Sequence, residues 1–299
     1  STLPLQTPKA AFAIPFAHYL DHFRDSGAEA HLTALLADPA FHTDAKVRGA
    51  GLAELRRLIM THATEPALRA ELEAVVLARF GEAELRFRSS SNMEDLDTFN
   101  GAGLHTSSSA SAAASAEVSL DEALRIVWAS LWNERAYDER EAGHLDQTAA
   151  RMGVLVHERY DGEAAQGVAI SRNLLDVTRS DMYYVDAQHG EASVTNPAPG
   201  VSTEQLVYSW QRSPEVVYQS HSSLRREAVL SLQETRDLVC ALAAIHAHFG
   251  PLLDPNGNNR TFAMQVEWKL LPGSRAVAIK QARPQPFGSV DVPKDCREF

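Results

Sequence analysis

Val266-Glu267-Trp268-Lys269-Leu270 and Ile279-Lys280-Gln281-Ala282-Arg283-Pro284, on either side of Leu271-Pro272-Gly273-Ser274, decide how this chain reads. Apolar and polar residues alternate around a Pro-Gly turn, the pattern of an antiparallel hairpin. On a strand, residues two apart share a face. Gln281 and Arg283 therefore project together, with Ala278, Lys280 and Ala282 on the other side. Gln265, Glu267 and Lys269 share a face of the partner strand. A three-residue loop at Pro272-Gly273-Ser274 makes Glu267 and Gln281 diagonal neighbours, about 7–8 Å apart. A carboxylate, an amide oxygen and a guanidinium then converge. Two hard oxygen ligands suit Mg²⁺, and the arginine can fork onto a phosphate. A solvated sheet face with a Glu–Arg pair is the plainer alternative, and parity by itself does not separate the two.

Upstream of the hairpin, helices dominate the first half. Ala17 to Leu36 is expected to be helical. Ala45 to Phe80 forms two blocks, the second opening at Pro66, where a helix tolerates proline. Leu120 to Glu141 reads as one helix carrying Leu124, Val127, Trp128 and Leu131 on its buried face. Leu85 to Arg88, Met152 to Tyr160, Gly167 to Ile170 and Met182 to Ala187 read as strands, and Arg225 to Phe249 returns to helix. Ser107 to Ala116, rich in serine and alanine, is expected as a mobile loop. This is an α+β layout, without the regular alternation of a doubly wound sheet. It suggests a mostly helical lobe over 1–145 and a second lobe over 146–299.

Composition excludes several classes. With 28 basic and 39 acidic residues the net charge is −11, which opposes binding to nucleic acid or anionic lipid. The longest proline-free apolar run, Leu238 to Ile245, is eight residues, well short of a membrane span. Two cysteines, Cys240 and Cys296, have no metal-ligand spacing. His18 and His22 lie one helical turn apart without a third ligand and read as a surface pair. The chain opens with no signal peptide, so cytoplasm is the default compartment. Ser1 is not an initiator methionine, and STLPLQTPKAAF reads as a linker into a fold already under way, so the chain is expected to be a fragment.

Phe87 to Leu96, FRSSSNMEDL, followed by Phe99-Asn100-Gly101-Ala102-Gly103, sets an arginine at a strand end before hydroxyl residues and glycines. Such a segment can hold an anion, or simply form a polar turn. The same segment resembles the Arg-Ser-Ser-x-x-x-Glu-Asp-Leu signature of the ATP-binding domain of pyruvate phosphate dikinase and phosphoenolpyruvate synthase. Four more segments agree in order: Val127 to Arg140, Met152 to Ser171, Val185 to Pro197, and the hairpin with its Glu-Trp and Gln-x-Arg-Pro pair.

The resemblance implies an ATP-grasp-like fold with ATP held between two lobes. It implies that Arg88 binds phosphate, that Glu267 and Gln281 ligate Mg²⁺, and that Arg283 neutralises the transferred phosphoryl group. His157-Glu158-Arg159 would be the adenine hinge, acting mainly through backbone groups. The phosphoryl acceptor would be a histidine on another domain, in cis or in trans, with pyruvate or another small molecule beyond it. Departures accompany the match. The family's glycine-rich stretch and phosphate-binding lysine are not matched here and are expected upstream of Ser1; only five lysines are present. Gln265 stands where the family usually has an acid, and His157 where it usually has glutamine. Neither a Thr-Ser-His swivelling domain nor a pyruvate-binding barrel is present. The expectation is the ATP-binding domain of a dikinase-like phosphotransferase, inactive alone and binding Mg-ATP weakly or not at all. The alternative is a degenerate nucleotide-binding or interaction module.

Overall fold

The structure, a computed structural model, describes residues 10–285 except 94, 97–98, 101–102, 160, 174, 177–178, 180, 193, 195–196, 258 and 260–261. It is mixed α+β with two larger sheets and a small two-stranded one. The described residues divide into two compact units, one up to Arg159 and one from Asp161 onward.

The first unit begins with β1 (Ala11–Ile14), followed by α1 (Phe16–Asp25), α2 (Ala28–Ala37), α3 (Pro39–Thr43), α4 (Ala45–Thr61) and α5 (Pro66–Phe80). Gly27, at φ 77°, breaks the stretch read as one helix from Ala17 to Leu36. Asp44 starts α4 by accepting from the Lys46 and Val47 N–H groups, and Glu65 does the same for α5 at Ala67 and Leu68. Next come β2 (Leu85–Ser91), β3 (Asp95–Leu96), β4 (Phe99–Asn100), β5 (Ser108–Ala110), α6 (Leu120–Ala129), α7 (Glu134–Ala142) and β6 (Met152–Glu158). The sheet order is β1-β6-β2-β5, with β3 paired to β4 apart from it. Leu85, Phe87, Val154 and Val156 face the helices and join one core with Tyr19, Leu52, Ile59, Val76, Leu124 and Trp128.

Further expectations for this unit are corrected. Ser108–Ala110 is a strand and not a loop: it pairs with β2, and the small side chains of Ser108 and Ala110 bury where larger ones would crowd α6. The long helix from Leu120 to Glu141 is broken. The Ser130 hydroxyl donates back to the Val127 carbonyl (2.7 Å), a 3₁₀ turn follows over Ser130–Trp132, and Asn133 is extended (ψ 139°). The Asn133 amide donates to the Leu104 carbonyl and the Thr106 hydroxyl instead. Finally, the strand Met152–Glu158, assigned from sequence to the second lobe, belongs to the first unit, because β6 lies between β1 and β2. His22, read as a surface residue, is buried; its Nε2 meets the Ile59 carbonyl (2.9 Å) and its ring packs on Trp128.

The second unit holds β7 (Ala165–Ile170), β8 (Tyr183–His189), β9 (Glu204–Tyr208), β10 (Val216–Ser220), α8 (Leu232–Leu253), β11 (Met264–Leu270) and β12 (Val277–Pro284). Its antiparallel sheet runs β10-β9-β8-β7-β11-β12. The helix α8 covers one face, where Leu238, Val239 and Leu242 pack with Ala169, Val185, Leu206, Val266 and Trp268. Gly167 admits this packing: a Cβ there would lie 2.0 Å from the Asp186 carbonyl oxygen and 2.7 Å from the Trp268 ring. Ser231 and Glu234 form a reciprocal capping box at the start of α8, so the helix begins later than Arg225, and it continues through Pro251 to Leu253. The buried Glu204 carboxylate receives the N–H groups of Val229 and Leu230, fixing the approach to that helix. No helix among the described residues is long and apolar enough to cross a membrane.

Candidate phosphate and metal site

The terminal hairpin carries the chemistry, and its register has two offsets. Near the turn Leu270 faces Val277 and Trp268 faces Ile279; further out Glu267 faces Gln281, Gln265 faces Arg283 and Met264 faces Pro284. The loop is one residue longer than the expected Pro272–Ser274. Leu271 N–H donates to the Ala276 carbonyl, and Arg275 N–H to the Leu271 carbonyl. Arg275 adopts φ 53°, unusual for a residue with a Cβ, and its guanidinium is held by Glu234 (2.5 and 3.2 Å) and the Val229 carbonyl (3.0 Å). The extra loop residue alone would turn Gln281 to the α8 side, opposite Val266. A β-bulge, with Lys280 as the additional residue, reverses the flip.

Glu267 and Gln281 are consequently direct partners and not diagonal ones, which sets their Cβ atoms about 4.5–5.5 Å apart. Arg283 Nε donates to Gln265 Oε1 (3.2 Å) beside them. The extra loop residue brings Lys280, assigned from sequence to the other face, to this one: its Nζ lies 3.5 Å from Glu267 Oε2. Lys269, on the same face of β11, is paired with the buried Glu163.

The row continues across the sheet on the face away from α8. Glu267 is opposite Val168, Val168 opposite Asp186, and Asp186 opposite Gln205. Asp186 Oδ2 accepts from Gln205 (3.3 Å) and Tyr184 (3.4 Å), while Oδ1 is buried without a hydrogen-bond partner. Burial raises the Asp186 pKa, against the lowering effect of Thr203, Gln205 and Tyr184. A second carboxylate in the same cross-strand row went unread, although Val185-Asp186-Ala187 carries the alternation that would have placed it.

In the first unit β2 turns Leu85 and Phe87 inward and Arg86, Arg88 and Ser90 to the other face. On that face Arg86 is opposite His157 and Arg88 opposite Leu155. Arg86, unremarked in the sequence, donates to the Ser109 hydroxyl (3.0 Å). His157 is buried, and its Nδ1–H donates to the Glu158 carbonyl (2.7 Å). Arg159 binds Glu84 twice, N–H to carbonyl (2.7 Å) and Nη1 to carboxylate (3.1 Å). The ladder to β1 ends at Ala11 opposite His157, so Glu158 has a strand partner on the β2 side alone. Glu94, Gly101 and Ala102 of the serine- and glycine-containing segment lie outside the described residues.

Chemically, the hairpin offers a carboxylate and an amide oxygen at a separation one hard cation can bridge, bordered by an ammonium and a guanidinium. The set suits a metal–polyphosphate ligand. Among the described residues no three His, Cys, Asp or Glu side chains cluster as a metal site, so any metal here would keep water or substrate oxygens, as Mg²⁺ does.

The family of the pyruvate phosphate dikinase AMP/ATP-binding domain matches residues 2–296, and the chain belongs to it. An AMP- or ATP-binding role goes with that family. No curated protein matches the chain.

Proposed function

We propose that the chain binds ATP with Mg²⁺ as the nucleotide domain of a dikinase-like phosphotransferase, in an ATP-grasp-like arrangement of two lobes. The observation that carries this reading is the direct pairing of Glu267 with Gln281 beside the Arg283–Gln265 contact. Glu267 and Gln281 would hold the cation. When bound, Mg²⁺ supplies charge neutralisation on phosphate oxygens. The chain's own part is positioning: Arg283 and Arg88 each present a guanidinium to phosphate oxygens, where charge spreads during transfer. Hinge backbone at His157, Glu158 and Arg159 would take the adenine edge, with the Glu158 carbonyl already engaged by His157. Transfer of this kind depends on alignment and charge stabilisation more than on a general base. The acceptor is a histidine on another domain, and pyruvate or a similar small molecule is the onward acceptor.

Calorimetric titration of Mg-ATP into the chain tests the reading. Saturable binding that is lost with EDTA and weakened by Arg283→Ala is the expected result. Binding that ignores both the metal and Arg283 would instead support a degenerate module.

A further inference from the structure

The bulge has a chemical consequence as well as a geometric one. Lys280 is the extra residue of β12: the longer loop sets it on the face of Glu267, and the slip brings Gln281 and Arg283 onto that face beside its ammonium. Without the slip Lys280 would still stand opposite Glu267, but Gln281 would turn toward α8, opposite Val266. The Glu267–Lys280 contact is loose (3.5 Å), and both side chains are partly exposed, 32% and 24%. Such a pair stabilises the fold little, so stability does not explain a lysine there. The neighbouring charges differ in kind. Lys269 is committed to the buried Glu163, with side-chain exposures of 12% and 3%, and the Arg283 guanidinium binds the Gln265 amide. Lys280 instead lies against the one carboxylate that a hard cation would use. A divalent ion on Glu267 and an ammonium at 3.5 Å repel each other, and the flexible four-carbon stem lets the ammonium move to the nearest anionic oxygen.

We propose that Lys280 is a phosphate-binding residue of the nucleotide site, held against Glu267 until a divalent cation takes that carboxylate. The proposal rests on the Mg-ATP reading above. It makes Lys280 a competitor of the bare cation and an ally of the cation–nucleotide complex. A merely structural lysine would not produce effects of opposite sign.

Mn²⁺ suits the same oxygen ligands and serves as the probe, its free signal followed by electron paramagnetic resonance in titrations of the wild-type chain, Lys280→Met, Lys280→Arg and Glu267→Gln. Mg-ATP binding is measured by calorimetry on the same four proteins. Lys280→Met should bind Mn²⁺ alone more tightly than wild type and Mg-ATP about tenfold more weakly, the loss of a charge-assisted phosphate contact. Lys280→Arg should recover most of the Mg-ATP affinity. Unchanged affinities in Lys280→Met, or both moving in one direction, overturn the proposal while leaving the site intact. If Glu267→Gln leaves Mn²⁺ binding unaltered, the metal assignment itself fails and the proposal falls with it.

Discussion

In the first sheet β2 runs beside β6 for seven pairs, from Leu85 opposite Glu158 to Ser91 opposite Met152, without interruption; in the second, β11 and β12 slip once, at Lys280. The unbroken ladder makes face assignment a matter of counting, so Arg86, Arg88 and Ser90 fall together and Leu85 and Phe87 fall opposite. In the slipped ladder counting is reliable only between offsets. Two offsets, one in the loop and one in the strand, cancel for Glu267 and Gln281 but leave Lys280 between them. Two offsets thus change the faces of the residues between them while preserving the pairing beyond.

The largest expected effect tests whether the slipped ladder depends on the α8 core beneath it. Trp268 is 1% exposed and fills the space that Gly167 leaves open. Trp268→Ala should cost about 3–5 kcal/mol in chemical denaturation, the usual loss for a truncated core aromatic. A cost below about 1 kcal/mol would mean the hairpin does not rely on that core.

The next contrast separates binding from folding on the other face. Arg283→Ala should weaken Mg-ATP binding by about 1.5–3 kcal/mol, the worth of a charge-assisted contact, with the denaturation midpoint nearly unchanged. A matching fall in stability would make Arg283 a structural residue of the sheet edge.

Acid should distinguish the two units. Burial lowers the pKa of His22 and takes that of His105 to about 4. Both start from 6.5, so the unfolded chain binds more protons as pH falls through that value, and the first unit loses stability between about pH 6.5 and 4. In the second unit His246 acts in the same direction, its pKa lowered by burial and by Arg172. Asp186 opposes it: its raised folded pKa means the native state takes up the proton first, and stability is gained as pH falls through that value. Hydrogen exchange at pH 7 and pH 5 should show the larger loss of protection in β2 and β6 than in β7 and β8. Equal losses would remove the distinction. The smallest effect is at the cap of α8, where Ser231→Ala should cost about 1 kcal/mol by thermal melting.

The helices with apolar faces were legible because periodicity is local: the α4 and α5 blocks, the Pro66 start and the buried Trp128 all follow from spacing. The break after α6 was not, because it depends on Asn133 bonding to Leu104 and Thr106, nearly thirty residues earlier. The Ser108–Ala110 strand was hidden by small residues that look like a linker and bury only against α6 and β2. At the site, Glu267 and Gln281 were correctly set on one face, yet by way of a loop one residue too short. The fourth loop residue depends on Arg275 being anchored by Glu234, a tertiary contact invisible in the hairpin's own letters. Lys280 was lost for the same reason, since its face follows from the fourth loop residue.

The central claim, that the Glu267–Gln281 pair is the metal seat of a nucleotide site, is tested most directly by crystals grown with Mn²⁺ and a non-hydrolysable ATP analogue. The account predicts an anomalous Mn²⁺ peak bonded to Glu267 and to the Gln281 amide oxygen, with Arg283 and Lys280 on phosphate oxygens. An ordered nucleotide whose metal touches neither Glu267 nor Gln281 would contradict it.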